Sequence, residues 1–472
     1  MCMCGSHIDM KADRDMNIDA HTNIGGIPPA GDPPGKPGTA PLPSFKEALR
    51  VWLKVGLLSF GGPAGQIALM HRMLVDERKW IADKPFLAAL NFCMLLPGPE
   101  AMQLATYVGW RLHGLKGGLA AGLLFVLPGA LLMTLLGTLY ALYGKLPLAE
   151  ALFVGIKAAV LAIVVEALLR VARRALKGRA DWIIAAVAFL AIYALGVPFP
   201  VIVLAAGLVG YLRSRGLPPV KDDGADGLGA GGAASASLAD TLRTAAVWLA
   251  IWIVPLVLVA LVFGRDHVLS ELAWFFSKLA VVTFGGAYAV LAYMAQEVVQ
   301  GYRWLAPGEM LDALGLAETT PGPLILVNQF VGNLAAFRHG GGAPVAMGIL
   351  GAVVTLWATF APCFLWIFVG APWIERLNRN PRLKGALQGV TAAVVGVILN
   401  LTVWFGLHVL FRDVTAITIG PFAPQVPRLA SVEPVPLVLA VVAAAMIFAL
   451  HRGIITTLAV CGGLALAWHG LA

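Results

Sequence analysis

The chain has 472 residues, of which 59% are hydrophobic and 13% are charged, and its formal net charge is +8. A soluble domain carries about 25% charged residues, so this composition excludes a soluble globular protein. In a membrane protein an excess of Lys and Arg is typical of cytoplasmic loops. Because no basic run is interleaved with aromatic residues, the charge predicts no nucleic-acid partner.

The first 45 residues are polar and end in a Pro- and Gly-rich stretch. They lack the apolar core of a signal peptide, and we interpret residues 1–45 as a disordered cytoplasmic tail. Two cysteines lie in this tail without further ligands at metal-site spacing, and the other three lie in apolar segments as small core residues. The sequence therefore predicts neither a metal site nor disulfides.

Several windows of the chain contain no Asp, Glu, Lys or Arg and exceed the roughly 20 residues that a helix needs to cross a bilayer. These windows are 117–144, 182–212, 244–264, 340–374 and 385–411. Their length and their Leu, Ala, Val and Gly content favour helices over barrel strands. The sequence therefore predicts an all-α polytopic membrane protein.

The chain repeats itself. Residues 54–99 align with residues 278–323 without a gap, at a constant offset of 224. The matched motifs are F-G-G at 60–62 and 284–286, and P-G-P at 97–99 and 321–323. Such a duplication is common in transporters. It predicts a first repeat at 46–212, a Gly/Ala/Ser-rich linker at 213–243, a connecting transmembrane helix at 244–265 and a second repeat at 266–472.

The loop charges alternate oppositely in the two halves. The first half has four Lys and Arg in 72–84, five in 170–179 and one in 144–150, whereas the matched loops 296–308, 411–432 and 371–384 have one, two and four. Because cytoplasmic loops are rich in Lys and Arg, we expect inverted repeats, with the N-terminus cytoplasmic and the C-terminus periplasmic.

The same count requires an even number of crossings between the two basic loops of the first half. It becomes even if segment 86–110 folds back at its P-G-P break, and segment 46–80 could fold back in the same way at F-G-G. Ordinary kinked spans remain the alternative. A single crossing by 244–263 then inverts the second half.

Proline removes a backbone donor and glycine adds conformational freedom, so both motifs break a helix inside an apolar segment. The half-helix that follows points unpaired N–H groups and a positive dipole end at its surroundings, which favours an anion. A packing kink is the alternative. The predicted anion path contains Lys54, Ser59, Gly61, Gly62, Pro97, Gly98, Pro99, Gln103, Lys278, Thr283, Gly285, Gly286, Thr320, Pro321, Gly322, Pro323 and Asn328.

Three groups of polar side chains suggest roles in that path. Lys54 and Lys278 stand six residues before F-G-G, as counter-ions of a dianion or as lysines that reach toward the interface. Ser59 and Thr283 offer hydroxyl donors, or bond to their own helices. Neutral donors for the cavity are Gln103, Asn328 and Gln329.

Two carboxylates break the symmetry of the repeat. Glu100 follows the first P-G-P, and Glu318 precedes the second. Both are candidates for proton coupling, although Glu100 could simply favour a helix N-terminus. Lys157 and Glu166 share one apolar span and are secondary candidates. The chain lacks the common hydrolase, zinc-protease and nucleotide-binding motifs, so the sequence predicts no enzyme activity and no cofactor.

The sequence resembles the chromate ion transporter family in its long, two-domain bacterial form. The resemblance covers about 45–411 and rests on specific motifs. These are F-G-G-P-A-G-Q at 60–66, A-L-N-F-C-M-L-L-P-G-P-E-A-M-Q-L-A-T-Y-V-G-W at 89–110, F-G-G-A-Y at 284–288 and T-T-P-G-P-L-I-L-V-N-Q-F-V-G at 319–332. The resemblance implies oppositely oriented halves in a bacterial inner membrane.

The same resemblance implies export of chromate from the cytoplasm, driven by the membrane potential or the proton gradient, and chromate resistance. A carrier of sulfate or another oxyanion is the nearest alternative, because sulfate has the same charge and shape. A membrane sensor or scaffold that does not transport is the alternative from another class. The expected partners are an oxyanion and the lipid bilayer, and the sequence leaves a homodimer open.

Overall fold

The computed structural model describes residues 43–60, 62–215, 237–282, 284, 287–374, 380–417 and 424–471. The first half contains α1 (Phe45–Leu58), α2 (Gly62–His71), α3 (Asp83–Cys93), α4 (Glu100–Tyr143), α5 (Pro147–Ala175), α6 (Arg179–Tyr193) and α7 (Phe199–Arg213). The rest contains α8 (Leu238–Phe263), α9 (Val268–Val282), α10 (Ala287–Gln296), α11 (Pro307–Thr319), α12 (Val327–His339), α13 (Pro344–Gly370), α14 (Pro381–Leu410), α15 (Pro434–Ala444) and α16 (Ile454–Leu471).

The predicted all-α class is confirmed. Five of these helices are long and apolar enough to cross a membrane, namely α4, α5, α8, α13 and α14. The described strands are β1 (Val414–Ala416) and β2 (Gln425–Pro427), which pair antiparallel in the connection between α14 and α15. The chain is therefore a polytopic helical membrane protein.

The connecting helix α8 begins earlier than the sequence predicted. Residues 238–243, at the end of the predicted linker, form the first turns of α8, and Ser237 Oγ caps this helix by accepting a hydrogen bond from the backbone N–H of Ala239. At the other end of the predicted linker, Arg213 is the last residue of α7. Residues 216–236 of the linker and residues 1–42 of the predicted tail lie outside the described residues.

The backbone repeats the duplication seen in the sequence. Phe60 N–H donates to the carbonyl of Leu58, two residues back (2.9 Å), and Phe284 N–H does the same to Val282 (3.1 Å). After α2 and α10 the chain continues in matched π-helical turns, Arg72–Glu77 and Glu297–Gly301. Each π-helical turn is followed by a residue in the left-handed backbone conformation, Lys79 (φ 55°) in the first half and Arg303 (φ 56°) in the second. These two residues are also 224 positions apart.

All four broken segments fold back on themselves. In the first half, Arg78 contacts Glu47 across the F-G-G break (2.7 Å), and the ring of Tyr107 lies 6.1 Å from that of Phe92 across P-G-P. In the second half, Lys278 Nζ lies 5.6 Å from the ring of Tyr293 across F-G-G, and Arg338 contacts Glu309 across P-G-P (2.8 Å). A kinked but continuous helix would hold these partners far apart.

Helix α4 is two helices joined at a sharp turn. His113 and Gly114 have non-helical backbone angles, so residues 100–112 form a first arm and residues 115–143 a second arm. The arms touch at Gly109, where a Cβ would lie 2.4 Å from the carbonyl oxygen of Gly117. In the second half, α12 and α13 make the same close hairpin.

The two halves exchange their last two helices. Helices α6 and α7 pack against α14, and α15 and α16 pack against α5. Glycines allow the closest approaches: a Cβ on Gly210 would lie 2.1 Å from the carbonyl of Gly385, and one on Gly155 would lie 2.2 Å from the carbonyl of Cys461. Each half therefore completes the other.

Candidate functional site

The F-G-G break of the first half lies directly against the P-G-P break of the second half. Gly322 donates its backbone N–H to the carbonyl oxygen of Ser59 (2.8 Å), and Gln66 Nε2 donates to the carbonyl oxygen of Gly322 (2.6 Å). Gly322 has φ +94°, a conformation that strains any residue with a Cβ. The sequence predicted the two breaks, and the structure joins them across the halves.

The P-G-P loops do not face each other through any described contact. Gly98 packs against α13, where its Cβ would lie 3.0 Å from Cys363 Sγ. The second loop packs against α4, where a Cβ on Gly129 would lie 2.0 Å from the carbonyl oxygen of Pro321. The helical segments that follow the breaks are preceded by Pro99 and Pro323. Each loop is thus held by a long helix of the other half.

Two hydroxyl groups of the predicted anion path, those of Ser59 and Thr320, bond to their own helices. Ser59 Oγ donates to the carbonyl of Val55 (2.6 Å), and Thr320 Oγ1 donates to that of Leu316 (2.8 Å), each four residues back. For Ser59 this is the alternative that the sequence left open. The candidates outside the described residues are Gly61, Thr283, Gly285 and Gly286.

The two matched lysines lie in different surroundings. Lys54 is exposed on the outer face of α1. Lys278 is half-buried, with its Nζ 5.6 Å from the ring centre of Tyr293 and 5.9 Å from that of Phe275. The structure therefore surrounds Lys278 with aromatic faces and does not bring the two lysines to one site.

Four buried amide side chains lie in the helices that follow the two P-G-P loops. Gln103 Nε2 donates to the carbonyl of Pro97 (2.7 Å), Asn328 Nδ2 to Thr359 Oγ1 (3.4 Å), Gln329 Nε2 to Thr134 Oγ1 (2.5 Å) and Asn333 Nδ2 to Thr138 Oγ1 (3.2 Å). The side-chain oxygens of these four residues have no hydrogen-bond partner within the described chain. They are unused acceptors close to the P-G-P loops.

A cavity of about 610 Å³ opens beside this junction. Phe60 from the first F-G-G and Glu318 from the end of α11 line it, together with Arg170 of α5 and the turn that contains His451 and Arg452. Arg170 donates to Glu166, one turn earlier on α5. The cavity therefore places two guanidinium groups next to the breaks of both halves.

A smaller cavity of about 100 Å³ shares Arg170. Pro63 at the start of α2, Glu100 at the start of α4, Arg174 and Tyr288 line it. Its polar groups make it suitable for a small hydrophilic ligand, and the N-terminus of α2 adds a positive dipole end.

Tyr288 connects the two cavities. Its hydroxyl donates to Glu318 Oε1 (2.9 Å), and a Cβ on Gly62 would lie 3.7 Å from the same hydroxyl. The N-terminal turns of α2 and α10, which follow the two F-G-G motifs, therefore meet at Tyr288. The helix ends that converge at Tyr288 are those after the two F-G-G motifs.

Sequence reasoning did not select Arg170, Arg174, Arg452 and Tyr288 as site residues. Arg170 and Arg174 counted only as loop charges, although both lie within helix α5, near its C-terminal end. Arg452 and its neighbour are the main interruption of the last apolar forty residues. Within the described chain, neither Arg174 nor Arg452 forms a salt bridge. Two guanidinium groups are thus available for an anion.

A third cavity, of about 240 Å³, has neutral walls. Polar side chains from both halves line it, and they are Tyr193, Gln296, Gln300, Asn400, Trp404 and Gln425. Helices α5 and α14 align when their first residues, Pro147 and Pro381, are matched. Asn400 and Trp404 of α14 then correspond to Glu166 and Arg170 of α5. The repeat therefore builds two related cavities, one charged and one neutral.

Comparison with known proteins agrees with this architecture. A family model described as chromate transporter matches residues 46–211 and 270–467. A chromate transport protein of Pseudomonas aeruginosa is 36% identical over 384 residues, covering 80% of this chain and 85% of the relative. A chromate transport protein of Cupriavidus metallidurans is 30% identical over 378 residues, covering 80% of this chain and 86% of the relative. A probable chromate transport protein of Synechococcus elongatus is 29% identical over 392 residues, covering 81% of this chain and 90% of the relative. No solved structure matches the chain.

Proposed function

This chain belongs to the chromate transporter family, and we propose that it exports chromate from the cytoplasm as a secondary active transporter and confers chromate resistance. The observation that carries the proposal is the 610 Å³ cavity at the junction of the two halves, with Arg170 and Arg452 in its wall. Guanidinium groups bind oxyanions through paired N–H donors. Arg170 and Arg452 would together hold a dianion in this cavity.

The proposed orientation is N-terminus inside and C-terminus outside, in a bacterial inner membrane. Since the four broken segments fold back, each leaves the chain on the side of the membrane from which it entered. The second arm of α4, α5, α6 and α7 then cross the membrane an even number of times, so the first half ends on the side where it began. The single helix α8 then inverts the second half. In this orientation the end of α5 and the turn at His451 and Arg452 share the cytoplasmic side, which agrees with their charge.

The difference between the two related cavities supports export. The charged cavity would open toward the cytoplasm and the neutral one toward the outside. A dianion binds more strongly where guanidinium groups face it and leaves more easily from neutral amides. Glu318, which lines the 610 Å³ cavity, and Glu100, which lines the smaller cavity of about 100 Å³, are the proposed proton-coupling carboxylates.

Labelled chromate uptake into everted membrane vesicles tests the proposal. We expect chromate to accumulate in vesicles from expressing cells, and an uncoupler that collapses the proton gradient to reduce this accumulation. Vesicles without the protein are the control. Equal accumulation in both preparations would contradict transport and favour a sensor or scaffold.

Sulfate is the specific rival substrate, because arginine side chains and backbone N–H groups recognise both dianions. If chromate is the preferred substrate, unlabelled sulfate should inhibit the uptake of labelled chromate less than equimolar unlabelled chromate does. Stronger inhibition by sulfate than by equimolar unlabelled chromate would identify a sulfate carrier.

A further inference from the structure

An ion pair between a buried carboxylate and a half-buried lysine joins the two halves. Asp312 of α11 is 5% exposed, and its Oδ1 lies 3.1 Å from Lys157 Nζ of α5. The hydroxyl of Tyr140, in the second arm of α4, donates to Asp312 Oδ2 (2.7 Å). The rings of Phe153 and Phe330 each lie 5.2 Å from that of Tyr140. Three helices from both halves thus meet at one carboxylate inside an apolar shell.

Charges in this position are expensive. Lys157 is ten residues inside the apolar span α5, about 15 Å from its N-terminal end. Removing two charges from water costs several kcal/mol per ion, and a pair recovers that cost only with good geometry and further hydrogen bonds. Ionisable residues in membrane spans accordingly mark proton or ion pathways more often than structural ties.

The internal duplication shows that the fold does not require this pair. At the offset of 224, Asp312 corresponds to Ala88 of α3. Helices α5 and α14 align at an offset of 234, since both begin with Pro and keep a matched Gly and an Ala-Ala-Val run, so Lys157 corresponds to Thr391. At the same offset Tyr140 corresponds to Ile374. All three polar groups are therefore present in one copy of the arrangement and missing from the other.

The same two helices carry the pair and the wall of the charged cavity. Helix α5 holds Lys157 and, thirteen residues later, Arg170; α11 holds Asp312 and, six residues later, Glu318. A change in the attraction between Asp312 and Lys157 acts directly on the spacing of α5 and α11. The charged and titratable groups that face Asp312 or its neighbourhood are Lys157, Tyr140, Glu309, Arg338 and Lys145.

We propose that Asp312 is a proton-binding site that couples proton movement to the opening and closing of the charged cavity, with Lys157 as its counter-ion. The ionised carboxylate binds Lys157 and holds α5 against α11. A proton that adds to a carboxylate oxygen of Asp312 removes the attraction and frees the two helices to separate. When the proton leaves, the ion pair forms again. This inference rests on the proposed transport function and extends it to the energy source.

Purified protein in liposomes tests the proposal through two rates measured on one preparation. The first is chromate accumulation driven by a pH gradient, and the second is exchange of labelled for unlabelled chromate without a gradient. We expect Asp312→Asn to lose at least tenfold of the driven accumulation, while its exchange stays within about threefold of wild type. Glu433→Gln, which neutralises a carboxylate of an exposed ion pair with Arg412, should change neither rate.

Two further variants separate coupling from a structural tie. The double variant Asp312→Asn with Lys157→Gln removes both charges, and it should fold and exchange chromate but still lack driven accumulation. Tyr140→Phe keeps both charges and removes the donor to Asp312, so the pH at which driven transport is half-maximal should rise by about one unit.

The outcomes are distinct. Proton-driven accumulation that persists in Asp312→Asn or in the double variant overturns the inference and leaves transport intact. An unchanged pH midpoint in Tyr140→Phe also counts against it. Wild-type protein that moves no chromate in either assay overturns the proposed function, and the inference with it.

Discussion

Gly322 donates its backbone N–H to the carbonyl oxygen of Ser59, 2.8 Å away, and so ties the second P-G-P break to the first F-G-G break. Gln66 completes the contact from the other side by donating to the carbonyl of Gly322. The junction of the halves is therefore made by backbone groups that the breaks themselves release from helical bonding. The charged cavity lies next to this contact.

Gln66→Val should weaken the junction. Val290 occupies the matched position of the second repeat, so valine fits the helix, but it leaves the carbonyl of Gly322 without its side-chain donor. A buried acceptor without a partner costs about 1–3 kcal/mol. We expect a lower thermal unfolding midpoint in detergent and slower chromate transport. A midpoint equal to wild type would show that the bond adds nothing.

Arg170→Gln should weaken chromate binding, because Arg170 lines both cavities on the charged side. A charge-assisted hydrogen bond contributes about 1.5–3 kcal/mol, which corresponds to a rise in KM of about tenfold or more. Vesicle uptake at varied chromate concentration measures it. Arg173→Gln is the matched control, since Arg173 is exposed on the same helix and lies outside the lining of these cavities. Similar KM values in both variants would remove Arg170 from the site.

Glu318→Gln should flatten the pH dependence of chromate transport. An ionised Glu318 in the cavity wall repels a dianion, and glutamine removes that repulsion at every pH. Tyr288→Phe keeps the carboxylate and removes only its 2.9 Å hydrogen bond, so its profile should shift without flattening. Transport rates measured from about pH 5.5 to about pH 8.5 test both variants. Identical profiles for Glu318→Gln and wild type would exclude a coupling role for Glu318.

Lys278→Gln and Lys54→Gln should have different effects, although the two lysines are matched in the repeat. Lys278 lies over two aromatic rings, and loss of such cation–π contacts costs about 0.5–2 kcal/mol. We therefore expect a lower unfolding midpoint for Lys278→Gln and little change for the exposed Lys54. Equal losses of transport in both single variants would instead support the counter-ion hypothesis for the pair.

His71 gives a test of stability outside the membrane-spanning helices. It bonds to Asp83 (2.7 Å) and Asp76 (3.3 Å), and the hydrogen bond with Asp83, aided by Asp76, raises the pKa of His71 above its ordinary value of 6.5. Because the folded-state pKa is raised, this stabilisation is complete below pH 6.5 and is lost as the pH rises through the folded-state pKa.

His71→Gln should therefore lower the unfolding midpoint more at about pH 6, below the ordinary pKa of 6.5, than at about pH 8.5. His469→Gln, a change at the exposed end of α16, controls for the loss of an imidazole. A difference from wild type that does not vary with pH would show that protonated His71 adds no stability.

The sequence by itself determined the membrane class, the duplication and the positions of the helix breaks. Long windows without charge can be stable only in lipid, and Pro and Gly act on the backbone through local sterics, so neither inference needs distant contacts. The matched γ-like turns at Phe60 and Phe284 show the same local rule in both copies.

Only the tertiary structure decided which residues share a site. It brings Ser59 to Gly322, half-buries Lys278 while Lys54 stays exposed, and places Arg170 and Arg452, nearly three hundred positions apart, in one cavity wall. It also pairs Asp312 with Lys157 across the halves. These contacts follow from the exchange of helices between the repeats, and packing between distant segments leaves no periodic signal in a single sequence.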